Sequence, residues 1–211
     1  MEPMSRTERA ALCNTALEAG EQAPTLCGRW TVKDLVIHLL VRERDPLGAP
    51  GILVPRLEGL TDRSARRLAH QDFTSLVERV RSGPPKWSPM ALPPLDRAAN
   101  TLEYFVHHED IRRAGTEWAP RELTEREQKA IWGSIKMAGK GLVRSAGVPV
   151  EIRWTGTERS AVLRKGDQPA VISGTPAEIA LFLFGREQHT GLEFTGAKAA
   201  VHALHQGDLG L

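Results

Sequence analysis

The sequence has only two cysteines, a small net charge and no long apolar run. Cys13 and Cys27 do not form a Cys-x-x-Cys pair, so neither a disulfide framework nor a thiolate zinc site is indicated. The net charge of +2 gives no reason to expect nucleic acid or an anionic membrane as a partner. The N-terminal residues have no apolar signal region, and no stretch approaches the roughly 18 apolar residues of a membrane span. We therefore expect a cytoplasmic protein with no membrane or nucleic-acid partner.

Sequence motifs of several common chemistries are also absent. The chain has no internal repeat, no Gly-rich phosphate loop and no G-x-S-x-G elbow. His107-His108-Glu109 does not belong to an H-E-x-x-H zinc motif, because the residue four after His108 is Arg112. The function must therefore be sought in the spacing of individual side chains.

The 211 residues, of which 41% are hydrophobic, are sufficient for one large globular domain or two small ones. Apolar residues recur at helical spacing up to about residue 145 and alternate beyond residue 149. Helices are predicted over residues 5–19, 31–42, 62–81, 95–113 and 124–145. Three short strands, a helix, a last strand and a last helix are predicted after that. This order predicts an α+β protein with a helical domain over 1–147 and a small α/β domain over 148–211.

A long loop is predicted between the second and third helices. Residues Asp45–Gly59 include three prolines and three glycines, which are typical of a connection and not of a regular element. A loop of this kind beside a functional site often covers that site. The third helix carries Arg63, Arg66 and Arg67, and such a group more often forms a solvated face than an anion site.

A stripe of polar residues runs along the helix predicted over 95–113. At 100° per residue, the side chains of Asp96, Asn100, Glu103, His107 and Asp110 lie within roughly 80° of one another. Apolar residues flank this stripe on both sides, so it is predicted to face inward. Burying a carboxylate and an imidazole is unfavourable unless they are paired or bound. A divalent metal is the partner that would use both Glu103 and His107.

His38 is a third candidate ligand. Glu103 and His107 are four residues apart, so their side chains meet on adjacent helical turns. His38 lies in the middle of the apolar face of the second helix. Taken alone it favours a hydrogen-bonded core residue, but together with an inward Glu and His it favours a ligand. Three protein ligands and an open fourth position are typical of catalytic zinc, although nickel, iron and manganese also accept these donors.

Three neighbours of the candidate ligands have roles that the spacing leaves open. Asp110, one turn beyond His107, either orients the imidazole or acts as a base beside the metal, or it pairs with a nearby arginine. His108 projects about 100° away from His107 and is predicted to be solvated. Cys27 is either a small buried loop residue or a thiolate activated near the start of the second helix.

The stretch Trp30–Leu39, followed by Glu103-x-x-x-His107-x-x-Asp110, resembles the metal-binding bundle of the DinB-like superfamily. Within that superfamily it resembles the mycothiol-dependent maleylpyruvate isomerase group of actinobacteria. The segments Val171–Glu178 and Leu183–Arg186 are similar to the second domain of that group. The resemblance implies a four-helix bundle that binds zinc through His38, Glu103 and His107. It also implies a C-terminal α/β domain like sterol carrier protein.

The resemblance further implies that Arg186 contacts an anionic group of a thiol cofactor or substrate. The leading expectation is an isomerase or transferase in which the metal activates mycothiol, or a related small thiol, toward a small electrophile. The alternative is a non-catalytic protein whose metal stabilises the bundle and whose second domain binds an apolar or anionic small ligand. Either protein is expected to be a monomer or a homodimer.

Overall fold

The computed structural model describes residues 2–46, 48–49, 56, 58–85, 88, 91–92, 96 and 100–210. These residues form eight helices and one four-stranded sheet, a content compatible with the α+β class. The chain divides into two compact units, Met1–Ala119 and Pro120–Leu211. Within the described ranges, no helix has the length and apolar character needed to cross a membrane.

The first unit is helical over its described residues. Its helices are α1 (Met4–Ala19), α2 (Val32–Arg44), α3 (Glu58–Ala69), α4 (Phe73–Arg81) and α5 (Thr101–Arg112). Helix α1 packs against α5 and α4, and α2 packs against α3 and α4. The core of the unit includes the buried side chains of Leu12, Leu35, Val36, Leu39, Leu40, Leu76, Val77 and Tyr104.

The bounds of α1 and α2 follow from local chemistry. Helix α1 ends before Gly20, whose φ of +88° is a left-handed conformation that suits glycine. Helix α2 begins after Thr31, whose hydroxyl accepts a hydrogen bond from the Asp34 N–H. The Asp34 carboxylate in turn accepts one from the Thr31 N–H. This reciprocal cap satisfies two backbone donors at the start of the helix that carries His38.

The third predicted helix is in fact two helices, so that prediction was wrong. Helices α3 and α4 are separated at residues 70–72. Asp72 has extended backbone angles, and its carboxylate accepts a hydrogen bond of 2.8 Å from the Ser75 N–H. This bond begins a new helix, because an aspartate side chain competes with helical continuation and instead caps the next segment. Most of the predicted loop Asp45–Gly59, and residues 95 and 97–99 of the next predicted helix, lie outside the described residues.

The second unit contains the sheet. Its elements are α6 (Glu125–Leu142), β1 (Val150–Trp154), β2 (Ser160–Arg164), β3 (Ala170–Gly174), α7 (Pro176–Leu183), β4 (Glu193–Gly196) and α8 (Lys198–Gln206). The strand order is β2-β1-β3-β4, with β1 and β3 parallel and the two outer pairs antiparallel. Thr175 caps α7, and Pro176 occupies its first turn, as the sequence predicts.

The division between the compact units falls at a different residue from the predicted domain boundary. The sequence predicts a helical domain over 1–147, whereas the observed division falls between Ala119 and Pro120. Helix α6 accounts for the difference, because it packs against α7 and β2. Its capping box, formed by Thr124 and Glu127, starts it within the C-terminal unit.

Candidate metal centre

The three predicted ligands come together between α2 and α5. The Nε2 atom of His38 lies 3.1 Å from Oε1 of Glu103, and Nε2 of His107 lies 3.3 Å from the same oxygen. One donor atom from each residue lies within 4.8 Å of the other two. The side chains are mostly buried, with 10–14% of each exposed. The helical spacing of Glu103 and His107 and the position of His38 on α2 thus place three donors around one point.

Asp110 contacts the other ring nitrogen of His107. Its Oδ2 atom is 2.8 Å from Nδ1 of His107, and the Asp110 side chain is fully buried. His107 therefore has a carboxylate at each ring nitrogen. A carboxylate only accepts hydrogen bonds, and a neutral imidazole has one N–H group. With both carboxylates ionised, the two contacts are satisfied only when a cation, either a second proton or a metal, lies on the ring.

The charges of the site agree with this requirement. Burial opposes protonation of His107, but its hydrogen bonds to Asp110, Cys27 and Glu103 outweigh burial and hold its pKa well above the ordinary value. Burial also opposes ionisation of Glu103, but the Arg42 charge and the two imidazoles keep its pKa well below the ordinary range. Burial lowers the pKa of His38. A protonated His107 therefore faces an ionised Glu103 and a neutral His38.

The donors also fit a zinc ion. Zinc binds imidazole nitrogen and carboxylate oxygen at about 2.0–2.2 Å, so two such ligands of a tetrahedral ion are about 3.3 Å apart. The observed separations of 3.1 and 3.3 Å from Glu103 Oε1 match that value closely. The contact between Asp110 and Nδ1 of His107 is the one that usually orients a ligating histidine. The residues present therefore suit a metal with three protein ligands and one further position.

Arg42 belongs to the site although the sequence analysis did not single it out. Its Nε atom is 3.3 Å from Oε1 of Glu103, and its Nη1 donates to Oδ1 of Asn100 at 2.5 Å. The guanidinium keeps Glu103 ionised. It contacts the same Glu103 oxygen, Oε1, as the two imidazoles do. Arg42 is four residues after His38, so the i,i+4 spacing on α2 was the available signal.

The segment before α2 also reaches the site. The Trp30 ring lies 5.1 Å from the His38 ring and is 40% exposed, so it forms a partly open wall. Cys27 donates from Sγ to Oδ2 of Asp110 at 3.0 Å, and Sγ is 3.8 Å from Nδ1 of His107. Cys27 is thus a half-buried neighbour of the metal centre. Its place depends on the tertiary path of the loop, which spacing does not reveal.

His108 is buried, and the prediction that it is solvated was wrong. Only 4% of this residue is exposed. Its Nδ1 is 2.9 Å from Oε2 of Glu8, and its Nε2 is 2.9 Å from Oγ1 of Thr15. The physical reason is that α1 covers this face of α5, so the helix has more than one buried side.

Arg186 lies in the C-terminal unit, where its Nη1 donates to the Phe184 carbonyl at 2.6 Å. It lines a cleft of about 450 Å³ together with Phe182, His189 and His205. The His205 ring lies 4.4 Å from the Phe194 ring and 5.5 Å from the Phe182 ring. The cleft therefore combines aromatic side chains with one guanidinium and with the carboxylates of Glu187 and Asp208.

Comparisons with protein-family models, with curated proteins and with solved structures find no match to this chain. The resemblance noted in the sequence stays a prediction. The donor atoms and their distances are therefore the features that indicate a function.

Proposed function

We propose that this protein binds a divalent metal, zinc before nickel, iron or manganese, through His38, Glu103 and His107. We further propose that it is a metal- and thiol-dependent isomerase or transferase that acts on a small electrophile. One observation carries the proposal: two imidazole Nε2 atoms converge on one carboxylate oxygen at 3.1 and 3.3 Å. The carboxylate of Asp110 on the other nitrogen of His107 supports the same view.

The number of ligands favours a catalytic role. Structural zinc sites usually have four protein ligands, whereas catalytic sites keep one position for water or substrate. A metal here would supply Lewis acidity, which lowers the pKa of a thiol bound at the open position. The exposed part of Trp30 and the half-buried Cys27 give the centre a partly open side.

The side chains around the ligands have distinct tasks in this proposal. Asp110 fixes the tautomer of His107, because its carboxylate accepts a hydrogen bond from the Nδ1–H group and leaves the Nε2 lone pair available to a metal. Arg42 keeps Glu103 ionised and oriented. Trp30 packs against the His38 ring and shields it from water on one face.

The resemblance to the mycothiol-dependent maleylpyruvate isomerase group favours mycothiol as the thiol. On that basis we propose that the helical N-terminal unit is a DinB-like bundle and that the sheet-containing C-terminal unit resembles sterol carrier protein. Arg186 would then bind an anionic group of the thiol or of the substrate. We also propose a cytoplasmic location, where small thiols are kept reduced.

The metal assignment is tested by metal analysis of protein purified without an affinity tag. The variant is His38→Ala, and the matched control is His70→Ala, an exposed histidine on the same unit. We expect His38→Ala to hold about one zinc per chain less than the control does. A full metal content in His38→Ala with a folded circular dichroism spectrum would end the ligand assignment.

The thiol assignment is tested by adding mycothiol, cysteine and glutathione to the cobalt-substituted protein. We expect one thiol to change the visible cobalt spectrum, because a thiolate alters the ligand field of the ion. The same thiol should support isomerisation of maleylpyruvate or conjugation of a test electrophile. A spectrum that no thiol changes, in protein that carries cobalt, would overturn the enzyme proposal and leave the metal site intact.

The cleft beside Arg186 favours the second candidate function, a non-catalytic binder of an apolar or anionic small ligand. Its aromatic walls suit an apolar ligand, and Arg186 could hold an anionic group although Glu187 and Asp208 also line the cleft. Native mass spectrometry of freshly purified protein separates the two functions. A stoichiometric bound organic molecule that Arg186→Ala releases, together with no thiol effect on cobalt, would favour the binder.

A further inference from the structure

Three donor atoms also meet on the Nδ1 side of the His107 ring. Nδ1 lies 2.8 Å from Oδ2 of Asp110 and 3.8 Å from Sγ of Cys27. The Cys27 Sγ atom is 3.0 Å from the same Asp110 oxygen. None of these contacts involves His38 or Glu103. A thiol, an imidazole nitrogen and a carboxylate oxygen therefore form a second compact set of donors.

Backbone hydrogen bonds fix Cys27 in this place. The Leu26 N–H donates to the Asp110 carbonyl at 3.0 Å, which ties the loop directly to α5. The Cys27 N–H donates to the Thr25 hydroxyl at 3.2 Å, and the Trp30 N–H donates to the Cys27 carbonyl at 3.2 Å. The cysteine is thus presented to Asp110 and His107 by an ordered turn, and the donor set is built before a ligand arrives.

The dimensions suit a tetrahedral metal. Two ligands of tetrahedral zinc are about 3.3 Å apart for nitrogen and oxygen, and about 3.5 Å apart when one is sulfur. The observed edges of 2.8, 3.0 and 3.8 Å each need a change of about half an ångström or less to reach those values. Asp110 is fully buried and His107 is 8% exposed, so water competes little for these two donors.

We propose that Cys27, Asp110 and Nδ1 of His107 form a second site for a thiolate-preferring divalent metal, with zinc as the expected ion. Binding releases the Cys27 thiol proton and places Nδ1 in its deprotonated form, with one position left for water. A neutral imidazole serves either metal site alone. Filling both sites removes both ring protons and makes His107 a bridging imidazolate.

This site shares His107 with the first site but needs neither His38 nor Glu103, so it can be tested in a variant that lacks the first site. The experiment is a cobalt titration of His38→Ala protein with no added thiol. A Cys27 thiolate on cobalt gives a sulfur-to-metal charge-transfer band in the near ultraviolet. We expect that band in His38→Ala and its loss in His38→Ala/Cys27→Ser. The matched control is His38→Ala/Cys13→Ser, in which the band should persist.

Two results would overturn the second site. One is the absence of the band in folded His38→Ala protein at saturating cobalt, and the other is a band that survives Cys27→Ser. The single variant Cys27→Ser separates this proposal from the first one, because it should still bind one zinc at His38, Glu103 and His107. A Cys27→Ser protein without zinc would count against the proposed function alone.

Discussion

His107 and His108 are adjacent on α5, are both nearly buried and both contact a carboxylate, yet their surroundings differ in kind. His108 has Glu8 at one ring nitrogen and the Thr15 hydroxyl at the other. His107 has Glu103 at one nitrogen and Asp110 at the other. A hydroxyl both donates and accepts, whereas a carboxylate only accepts. Protein groups can therefore satisfy both ring nitrogens of His108, whereas His107 between two ionised carboxylates needs a cation on its ring.

The two cysteines also differ in the groups that surround them. Cys13 is buried on α1, donates to the Val77 carbonyl, and has a pKa raised to about 11 by burial. A thiol in that state is a poor metal ligand, because the thiolate is the binding form. Cys27 is half-buried and meets an imidazole and a carboxylate. Burial and a polar neighbour are thus shared by structural residues and candidate ligands, and the balance of donors and acceptors separates them.

The largest expected effect comes from exchanging the two histidines for glutamine in turn. His107→Gln should reduce the zinc content to background, because it removes a ligand that both proposed sites share. His108→Gln should keep the zinc content of the wild-type protein, because its amide can still bond to Glu8. Metal analysis of both folded variants measures the effect. Equal zinc loss in the two variants would remove the distinction drawn between them.

Removing the contact between Glu8 and His108 should change the stability of the fold and leave metal binding unchanged. Glu8→Ala leaves an unpaired imidazole and a small cavity, which should lower the free energy of unfolding by about 3 kcal/mol. The exposed control Glu18→Ala should change it by less than about 0.5 kcal/mol. Urea denaturation gives both values. A Glu8→Ala protein with unchanged stability would contradict the stabilising role of the contact between Glu8 and His108. A folded Glu8→Ala protein that loses zinc would show that the surroundings of His107 and His108 are not separate.

Asp110→Asn should weaken zinc binding by about 10- to 100-fold, because the residue that orients a ligating histidine tunes its basicity. The variant keeps the shape of the side chain and the three proposed ligands between α2 and α5, although it alters a donor of the second proposed site. Competition with a chelator measures the affinity, and the exposed Asp62→Asn serves as the control. An unchanged affinity in Asp110→Asn would assign the carboxylate to packing and not to the metal centre.

The smallest effect is a dependence on pH. The folded pKa of His107 lies well above its unfolded value of about 6.5, so this group stabilises the metal-depleted protein below pH 6.5. That contribution is lost as the pH rises through the folded pKa. With chelator present, the stability difference between wild type and His107→Gln should therefore shrink above about pH 6.5. Zinc affinity should rise over the same range, because the metal displaces the proton. A stability difference between wild type and His107→Gln that stays constant with pH would contradict the raised pKa of His107.

Most of the helices, and the proximity of Glu103 to His107, were predictable because both depend on local periodicity. Thr31 with Asp34, and Glu103 with His107, are separated by spacings that act within one helix. The break at Asp72 was not predicted, because a side-chain cap replaced helical continuation there. A periodic pattern assigns a helix one inward face, and so it placed His108 in solvent although α1 covers it.

The contacts of Cys27 and Arg42 depend on tertiary structure. Cys27 reaches Asp110 because the Leu26 N–H binds the α5 backbone, 84 residues further along the chain at Asp110. Arg42 meets Glu103 only because α2 and α5 place them on a shared side. The spacing of His38 and Arg42 places Arg42 on the right face of α2, but no spacing within one element predicts its distance to Glu103 or the position of Cys27.

Anomalous diffraction from zinc-loaded crystals tests the central claim most directly. We expect a zinc peak about 2.0–2.2 Å from His38 Nε2, Glu103 Oε1 and His107 Nε2. Asp110 should still lie on the opposite side of the His107 ring. A map with no peak among those three atoms, and with Nε2 of His38 still hydrogen-bonded to Glu103, would contradict it.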